Sequence, residues 1–383
     1  MADQRKLKKA QKKNQKSVPM KEQPPTEESS ISLLDGARPQ YQLLPAEYTE
    51  QKRLASDDSQ PIEDRLEAFE DIFESEVGDT NVTRARNIER DVGLRQVYLK
   101  FEGSNPTGTQ KDRIAFSQVR DALRRGFDAI TVATCGNYGV AVALAASVGG
   151  LRCIAYLPGN YHTKRIQEMQ DYGVEIVRVP GDYENAVAVS QERAEKDDIY
   201  DANPGGANTA LQLQAYGQIA YEIYDELRDA PAAVAVPVSN GTTFAGIYRG
   251  FLSLYRRGKI SRLPRMVCGS SHNKNPIIRA FVKNYTTCED LLPESIKETA
   301  VNEPLINWHS TDGNHALDAL WSTNGWAANA SDKSMLAWSR LLREREGLSV
   351  LPASTAGLSV LIDRHRETPL TSDRYVAVLT GRK

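Results

Sequence analysis

The chain has 383 residues, of which 40% are hydrophobic and 26% charged, and its formal net charge is -2. This composition excludes an intrinsically disordered protein and supplies enough apolar residues for one large globular unit or two lobes. Because acidic and basic residues nearly balance, it also argues against a protein whose main partner is nucleic acid or an anionic membrane surface.

The four cysteines favour a reducing compartment. They show no CxxC pairing and no histidine at metal-ligand spacing, so we expect no metal site. A long chain with so few cysteines is typical of intracellular proteins. The most apolar stretch, residues 140–148, is too short to cross a bilayer, and no apolar signal-peptide core follows Met1. We therefore predict a cytoplasmic protein without a membrane-spanning part.

Residues 1–30 differ in composition from the rest of the chain. They open with MADQRKLKKAQKKNQK, which is basic and almost free of apolar residues. Such a segment buries too little surface to offset the entropy of ordering it, and we predict a disordered basic tail. An RNA-binding arm is the alternative. Salt-dependent RNA binding that disappears on deletion of residues 1–30 would support it.

From Leu94 onward, short apolar runs alternate with helical patterns. The predicted elements are, in chain order, strand 97–101, helix 111–125, strand 130–133, helix 138–148, strand 152–157, helix 164–172, strand 174–179, helix 183–196, helix 211–227, strand 232–236, helix 244–255 and strand 265–269. Strands separated by helices of this length need crossover connections, which produce a parallel sheet. The predicted fold class is therefore α/β, with functional sites at the carboxyl ends of the strands.

Residues 102–113, EGSNPTGTQKDR, follow the first of these strands and lead into a helix. Lys111 lies in the first turn of this helix, near the positive end of its dipole and beside Arg113, and both features lower the pKa of a lysine. A lowered pKa suits Schiff-base chemistry, since only the free amine attacks a carbonyl. These residues alone leave open an ordinary exposed lysine.

Three more segments place polar residues at the ends of strands. Residues 134–139, TCGNYG, form a turn before a helix, which suits either a bound carboxylate or a simple helix cap. Residues 237–246, PVSNGTTFAG, form a small-residue loop that suits a bound anion, and they match neither the dinucleotide fingerprint nor the Walker pattern. The last predicted strand ends in Thr380 and Gly381.

Together and in this order, the four segments resemble the fold-type II pyridoxal-phosphate enzymes of the tryptophan synthase β-like superfamily, and among them most closely threonine synthase. Residues 102–113 are similar to the NPTGxxKDR segment of threonine synthases, 134–139 to their SSGNxG loop and 239–243 to their phosphate loop. Residues 311–314 fall where the family has a glycine facing the cofactor ring. The resemblance covers about residues 97–383 and implies a two-lobed enzyme with pyridoxal 5'-phosphate as its cofactor.

The resemblance also implies roles for individual residues. Lys111 would hold the cofactor covalently and move the α proton of the substrate, and Asn137 would bond to the 3-hydroxyl of the ring. Thr380 would bond to the pyridine nitrogen without protonating it, which suits elimination and replacement better than transamination. The phosphate would be held by Ser239, Asn240, Gly241, Thr242 and Thr243. The substrate carboxylate would meet Thr134, Cys135 and Gly136.

The resemblance is weaker where the substrate is expected to bind. Threonine synthases carry an arginine and a lysine that help hold the phosphate of their substrate, and alignment puts Gln212 and Gly217 at these positions. Phosphate recognition depends on charge-assisted contacts, so their loss argues against a phosphorylated substrate unless another cation substitutes. The candidate cations are Lys164, Arg165 and Arg249. Other departures that we expect in the pocket are Gln110, Cys135, Tyr138 and Leu351.

We therefore predict a homodimeric lyase or synthase that eliminates or replaces a β or γ leaving group of an amino acid, as threonine synthase does. A cysteine-synthase-like β-replacement, a deaminating dehydratase and a non-catalytic binding protein on the same fold are the alternatives. The predicted large, cofactor-binding domain comprises residues 31–128 and 206–383. The predicted smaller domain, on the substrate side, comprises residues 129–205.

Overall fold

The computed structural model of the chain describes residues 48–134, 136–159, 165–371 and 373–383. The predicted basic tail and the predicted substrate residue Cys135 lie outside these ranges. Within them, no helix is long and apolar enough to cross a membrane. The same ranges contain no cluster of side chains suited to hold a metal ion.

Short strands alternate with helices along most of the described chain. The strands are β1 (Val82–Arg84), β2 (Val97–Phe101), β3 (Ala129–Ala133), β4 (Arg152–Pro158), β5 (Glu175–Val179), β6 (Tyr200–Asp201), β7 (Ala233–Pro237), β8 (Arg265–Ser271), β9 (Trp326–Ala330) and β10 (Tyr375–Leu379). The helices are α1 (Thr49–Ser56), α2 (Ile62–Glu76), α3 (Arg86–Val92), α4 (Lys111–Arg124), α5 (Asn137–Gly149), α6 (Ile166–Asp171), α7 (Tyr183–Asp197), α8 (Thr209–Leu227), α9 (Thr242–Arg256), α10 (Pro276–Val282), α11 (Gly313–Ser322), α12 (Asp332–Glu346) and α13 (Ala356–Glu367).

The strands form two sheets. The larger has the order β1-β2-β10-β7-β8-β9, and the smaller has the order β5-β4-β3-β6. All neighbouring strands are parallel except β1 and β2, which are antiparallel. The predicted α/β class with parallel sheets is confirmed, and the antiparallel edge strand β1 was not predicted. The strands of the smaller sheet, β3 to β6, all lie within residues 129–201. The boundaries of the two domains stay a prediction.

The central strands are apolar because helices cover both of their faces. Every residue of β3 (AITVA), β7 (AVAVP) and β10 (YVAVL) is buried. A parallel strand covered on both sides has no polar alternation, which is why short apolar runs predicted these strands correctly. The predicted bounds differ from the observed ones by at most two residues, as for α9, which begins two residues earlier than predicted because its two threonines form its first turn.

Helices α8 and α9 pack closely through glycine. A Cβ atom at Gly246 would stand 2.6 Å from the Cβ of Tyr216, and one at Gly217 would stand 3.4 Å from the carbonyl oxygen of Gly246. Gly217 therefore serves helix packing, where a long cationic side chain would separate the two helices.

The order of the larger sheet brings distant parts of the chain together. Strand β10 lies between β2 and β7, so the carboxyl ends of all three strands are adjacent. The residues that follow β2 lead to α4, and those that follow β7 lead to α9. This edge of the sheet therefore collects the start of α4, the start of α9 and the last residues of the chain.

Candidate active site

The loop before α4 is fixed to the C-terminal residues by backbone hydrogen bonds. The N–H of Gln110 donates to the carbonyl of Thr380 at 3.0 Å, and the N–H of Arg382 donates to the carbonyl of Gly108 at 2.9 Å. These bonds place Lys111, the first residue of α4, beside the end of β10.

A cavity of about 130 Å³ lies at this edge of the sheet. The predicted cofactor residues all line it, and they are Lys111, Asn137, Ser239, Asn240, Gly241, Thr242, Thr243 and Thr380. Gln110 and Leu351, two of the departures from threonine synthase, also line it. Lys111 and Thr380, which are 269 residues apart in the sequence, thus line the same cavity.

Desolvation lowers the pKa of Lys111 to about 8. The amine lies 5.5 Å from the centre of the Tyr138 ring. Our expectation that Arg113 lowers this pKa is wrong, because the Arg113 guanidinium points into a separate network of carboxylates. The lowered pKa of Lys111 therefore comes from burial among neutral groups, which disfavours the charged form of its amine.

The network around Arg113 is separate from the first cavity, since Arg113 and Glu222 line a different one. Its Nε donates to Oε2 of Glu102 at 2.6 Å, and its Nη1 donates to Oε1 of Glu222 at 2.6 Å. Lys100, which is fully buried, also donates to Glu222 and to the carbonyl of Thr80. Desolvation opposes ionisation of Glu222, but the bonds and charges of Arg113 and Lys100 outweigh it and lower its pKa to about 2. Each buried charge here has an opposite partner.

The phosphate-loop candidate begins α9. No side chain caps this helix, and Gly241 at its N-cap has φ +95°. A Cβ atom there would stand 2.8 Å from the carbonyl oxygen of Asp312, so only glycine fits. The Thr242 hydroxyl donates to Oδ2 of Asp312 at 2.5 Å, so its proton is already engaged. What this loop offers an anion is therefore the N–H groups of the first helical turn and the other side chains.

Two hydroxyl groups meet at the opposite end of the cavity. The Oγ atom of Ser354 lies 3.2 Å from Oγ1 of Thr380 and 3.2 Å from the carbonyl oxygen of Gly381. Ser354 also lines the cavity, and we did not predict it as a site residue. The signal was present, because Ser354 belongs to a PAST segment similar to the EPAS helix start of threonine synthases.

A second cavity, of about 420 Å³, opens beside Lys111 and Asn137. Thr134 and Gly136, two of the predicted carboxylate residues, line it together with Tyr138. The Oγ1 atom of Thr134 accepts the N–H groups of Gly136 at 3.0 Å and Gly139 at 2.8 Å. Because Oγ1 is the acceptor in both bonds, the Thr134 hydroxyl proton can be donated to a different acceptor. The N–H of Gly136, in contrast, is already engaged in one of these two bonds.

The wall of this second cavity is rich in carboxylates. Its acidic lining residues are Asp182, Glu184, Glu298 and Glu303. Nε1 of Trp308 donates to Oδ2 of Asp182 at 3.2 Å, and desolvation raises the pKa of Glu184. Apart from Lys111, Arg165 is the cationic residue among its described lining.

The positions aligned with the phosphate-binding cations of threonine synthases do not reach either cavity. Gln212 is fully buried, and its Nε2 donates to Oε1 of Gln118 at 3.0 Å and to the carbonyl of Asn203 at 2.9 Å. Gly217 packs against α9, so our expectation that these two positions line the pocket is wrong. Of the candidate substitutes, Arg165 lines the second cavity, Arg249 is exposed and lines neither cavity, and Lys164 lies outside the described residues.

The predicted ring-facing glycine is also elsewhere. Gly313 begins α11, and a Cβ atom there would stand 2.7 Å from Sγ of Cys288 and 3.0 Å from Cβ of Ser310. It lines neither cavity. The residues on that side of the first cavity are instead Pro304 and Leu305.

The fold and the site define a class of enzyme. The chain is a parallel α/β protein in which an amine of lowered pKa and an uncapped helix N-terminus line the same small cavity. The family described as "Pyridoxal-phosphate dependent enzyme" matches residues 73–381. The chain belongs to this family, and its cofactor is pyridoxal phosphate.

Individual relatives agree with this membership. The threonine synthase of Methanocaldococcus jannaschii is 30% identical over 307 residues, which cover 79% of this chain and 74% of that protein. A pyridoxal 5'-phosphate-dependent aspartate racemase has a similar structure, with a TM-score of 0.69 and 19% identity over 83% of this chain and 94% of that one. Threonine deaminase isoform 2 of Solanum lycopersicum has a TM-score of 0.69 and 14% identity over 88% of this chain and 89% of that one. The two structures support the fold.

The first cavity fits the chemical groups of this cofactor. Lys111 provides an amine for the aldehyde, and the uncapped start of α9 provides N–H groups for the phosphate. The pair of Ser354 and Thr380 provides a neutral partner for the pyridine nitrogen. The described lining of this cavity contains no carboxylate, so nothing there repels the phosphate. The role of each residue stays a prediction.

Proposed function

We propose that this protein is a pyridoxal-phosphate enzyme that eliminates or replaces a leaving group on the β or γ carbon of an amino acid. The observation that supports this most is the position of Lys111 in one cavity with the start of α9 and with Thr380. A covalently held cofactor needs three groups in the same cavity: an amine for its aldehyde, an anion site for its phosphate and a partner for its ring nitrogen.

Lys111 acts first as the group that binds the cofactor and then as the base that removes the α proton. With its pKa near 8, about half of the Lys111 amine is neutral at slightly basic pH, which suits both tasks. When bound, the cofactor withdraws electrons from the α carbon, which makes this proton removable.

The neutral hydroxyl of Thr380 favours elimination and replacement over transamination. A hydroxyl does not protonate the pyridine nitrogen, so the ring withdraws electrons less strongly than it does beside a carboxylate. Ser354, 3.2 Å from Thr380, orients this hydroxyl.

The substrate enters through the second cavity. Thr134 has a hydroxyl proton left to donate and lines this cavity beside Lys111, which suits it to bind the substrate carboxylate. Gly136 lines the same cavity, and Cys135 stays a predicted partner outside the described residues. Here the carboxylate also meets the N-terminal end of α5, whose dipole attracts negative charge.

Two reactions are the main candidates. The 30% identity with a threonine synthase supports a threonine-synthase-like replacement. The carboxylates Asp182, Glu184, Glu298 and Glu303 support instead a β-replacement in which the leaving group carries no phosphate, because carboxylates repel a phosphate dianion. A deaminating dehydratase is a third candidate.

The test is the visible absorption spectrum of the purified protein during titration with amino acids. The panel is O-phosphohomoserine, O-phosphoserine, O-acetylserine, serine and threonine. We expect a yellow protein whose band shifts with at least one of them, and the responding compound names the leaving group. A protein that stays colourless with added pyridoxal phosphate would contradict the proposal and favour the non-catalytic binding protein.

We also propose that the enzyme is a cytoplasmic homodimer. The low cysteine content supports a reducing compartment, and dimers are common among fold-type II enzymes. Sedimentation equilibrium of the purified protein tests the assembly, since a single species at the mass of one chain would contradict it. Fractionation of cells that express the protein tests its location.

A further inference from the structure

Arg165 connects three segments at the active site. It precedes α6, and its Nη1 donates to Oδ1 of Asn137, at the start of α5, at 2.6 Å. Its Nη2 donates to the carbonyl of Thr107, in the loop that carries Lys111, at 3.2 Å. Its Nε and Nη2 also donate to the two carboxylate oxygens of Glu168, at 3.1 and 2.8 Å.

These bonds determine which way the Asn137 side chain faces. An asparagine amide has one acceptor atom and one donor atom, and rotation by half a turn exchanges them at little cost in an isolated side chain. A guanidinium 2.6 Å from Oδ1 removes this freedom, because rotation would bring the amide N–H groups against a cation. The amide nitrogen of Asn137, which lines both cavities, is therefore the atom left to donate to a ligand.

The same cation fixes the loop of Lys111. Thr107 is held from its other side by Asp112, whose carboxylate accepts from the Thr107 N–H at 2.8 Å and from its hydroxyl at 2.7 Å. Arg165 therefore sets the spacing between the segment of Lys111 and the segment of Asn137. A guanidinium does this better than an ammonium group, because its planar fork bonds several acceptors in fixed directions.

We propose that Arg165 is a positioning residue: it holds the Asn137 amide with its nitrogen toward the cofactor and thereby keeps the 3-oxygen of bound pyridoxal phosphate ionised. This inference rests on the proposed cofactor site. An ionised oxygen needs a hydrogen-bond donor, whereas the amide oxygen in its place would repel it. The ionised form gives the yellow band, and its protonation moves the absorption to the near ultraviolet.

The titratable groups that face Arg165 include Glu168, Asp112 and Tyr172. Glu168 pairs with it directly, and the charge of Arg165 acts on the carboxyl of Asp112 and on the hydroxyl of Tyr172. Burial raises the pKa of Asp112 to about 6. Because Asp112 can also change the yellow band near that pH, the deciding quantity is the shift of the midpoint between wild type and variant, and not the wild-type midpoint alone.

The experiment measures two quantities in protein freed of cofactor and then titrated with pyridoxal phosphate: the dissociation constant and the pH at which half of the yellow band is lost. For Arg165→Gln we expect about tenfold weaker binding and a midpoint about one pH unit higher, the effect of one charge-assisted bond. Arg165→Lys keeps the charge but not the fork, and we expect an intermediate result. Arg178→Gln is the matched control, because Arg178 is exposed on β5 and lines neither cavity.

A double-mutant cycle tells positioning from general support of the structure. If Arg165 acts through Asn137, Arg165→Gln adds almost nothing to Asn137→Ala. An undiminished effect in the Asn137→Ala background would overturn the inference, as would wild-type values for Arg165→Gln. Should Arg165→Gln fail to fold, Arg165→Lys decides by the same two readings. A wild-type protein that never turns yellow would contradict the proposed function itself, so the two failures are distinct.

Discussion

Two lysines eleven residues apart, Lys100 fully buried and Lys111 partly buried, show how surroundings decide what a lysine does. Lys100, on β2, bonds to Glu222 and lies 4.0 Å from Glu102. Lys111, at the start of α4, faces a cavity whose described lining has no carboxylate. Desolvation lowers the pKa of both amines, but carboxylates oppose this only at Lys100. The first lysine is thereby kept as part of a structural charge network, and the second is available as a nucleophile.

The largest effect that we expect comes from removing the reactive amine. Lys111→Ala should abolish the yellow band and all turnover, because no other described amine lines the first cavity. Folding should be preserved, since the change removes a desolvated group that has no ion pair with any residue that the structure describes. The absorption spectrum and a thermal melt measure these two outcomes. Lys100→Met is the contrasting variant, and it should keep the band while losing stability.

A large effect on stability is expected in the charge network. Glu222→Gln removes a counter-charge from Arg113 and Lys100, and breaking such a buried pair costs about 3 kcal/mol of unfolding free energy. Urea unfolding measures this loss. The wavelength of the yellow band should not change, because Glu222 does not line the first cavity. A shifted band with unchanged stability would show that the two regions are not separate.

The pH dependence of cofactor incorporation is the next largest effect. Because the pKa of Lys111 is lowered to about 8, the neutral amine is the minor form below this pH and the major form above it. The rate of incorporation into cofactor-free protein should rise about tenfold per pH unit up to about 8 and then level off. Glu222→Gln is expected to leave this midpoint in place. A plateau that begins already near pH 6 would mean that another group determines the rate.

The smallest effect is expected at the ring nitrogen. Thr380→Val removes one neutral hydrogen bond and should weaken cofactor binding several-fold, about 1 kcal/mol. Thr380→Ser keeps the hydroxyl and serves as the control. If the valine variant binds as well as the wild type, the Ser354 hydroxyl, 3.2 Å away, has taken over the contact.

Much of the fold and the core of the candidate site could be predicted from local sequence. Buried parallel strands produce short apolar runs, and helix starts after Gly- and Ser-rich turns produce the segments around Lys111, Asn137 and 239–243. These signals are local because backbone geometry at a turn depends on a few neighbouring residues. Helices α1 and α2 were not predicted. In α2, the many charged residues around Phe69 obscure the apolar side of the helix in the sequence.

The contacts between distant segments could not be predicted in the same way. Arg165 reaches Asn137 across 28 positions, and Ser354 reaches Thr380 across 26. Gln212 and Gly217 illustrate the converse. Alignment suggested that these two positions lie in the substrate pocket, whereas packing places both of them in the protein interior. Which side of a helix faces a cavity depends on all the elements packed around it.

The sequence by itself determined the α/β class and indicated the candidate lysine and the loop that suits an anion, because each depends on residues adjacent in the chain. Only the tertiary structure decided why the pKa of Lys111 is low. Lys111 and Arg113 are two residues apart on α4 and therefore lie on different sides of this helix, which separates the lysine from the carboxylates that surround Arg113. Burial without an opposite charge then lowers the pKa of the Lys111 amine to about 8.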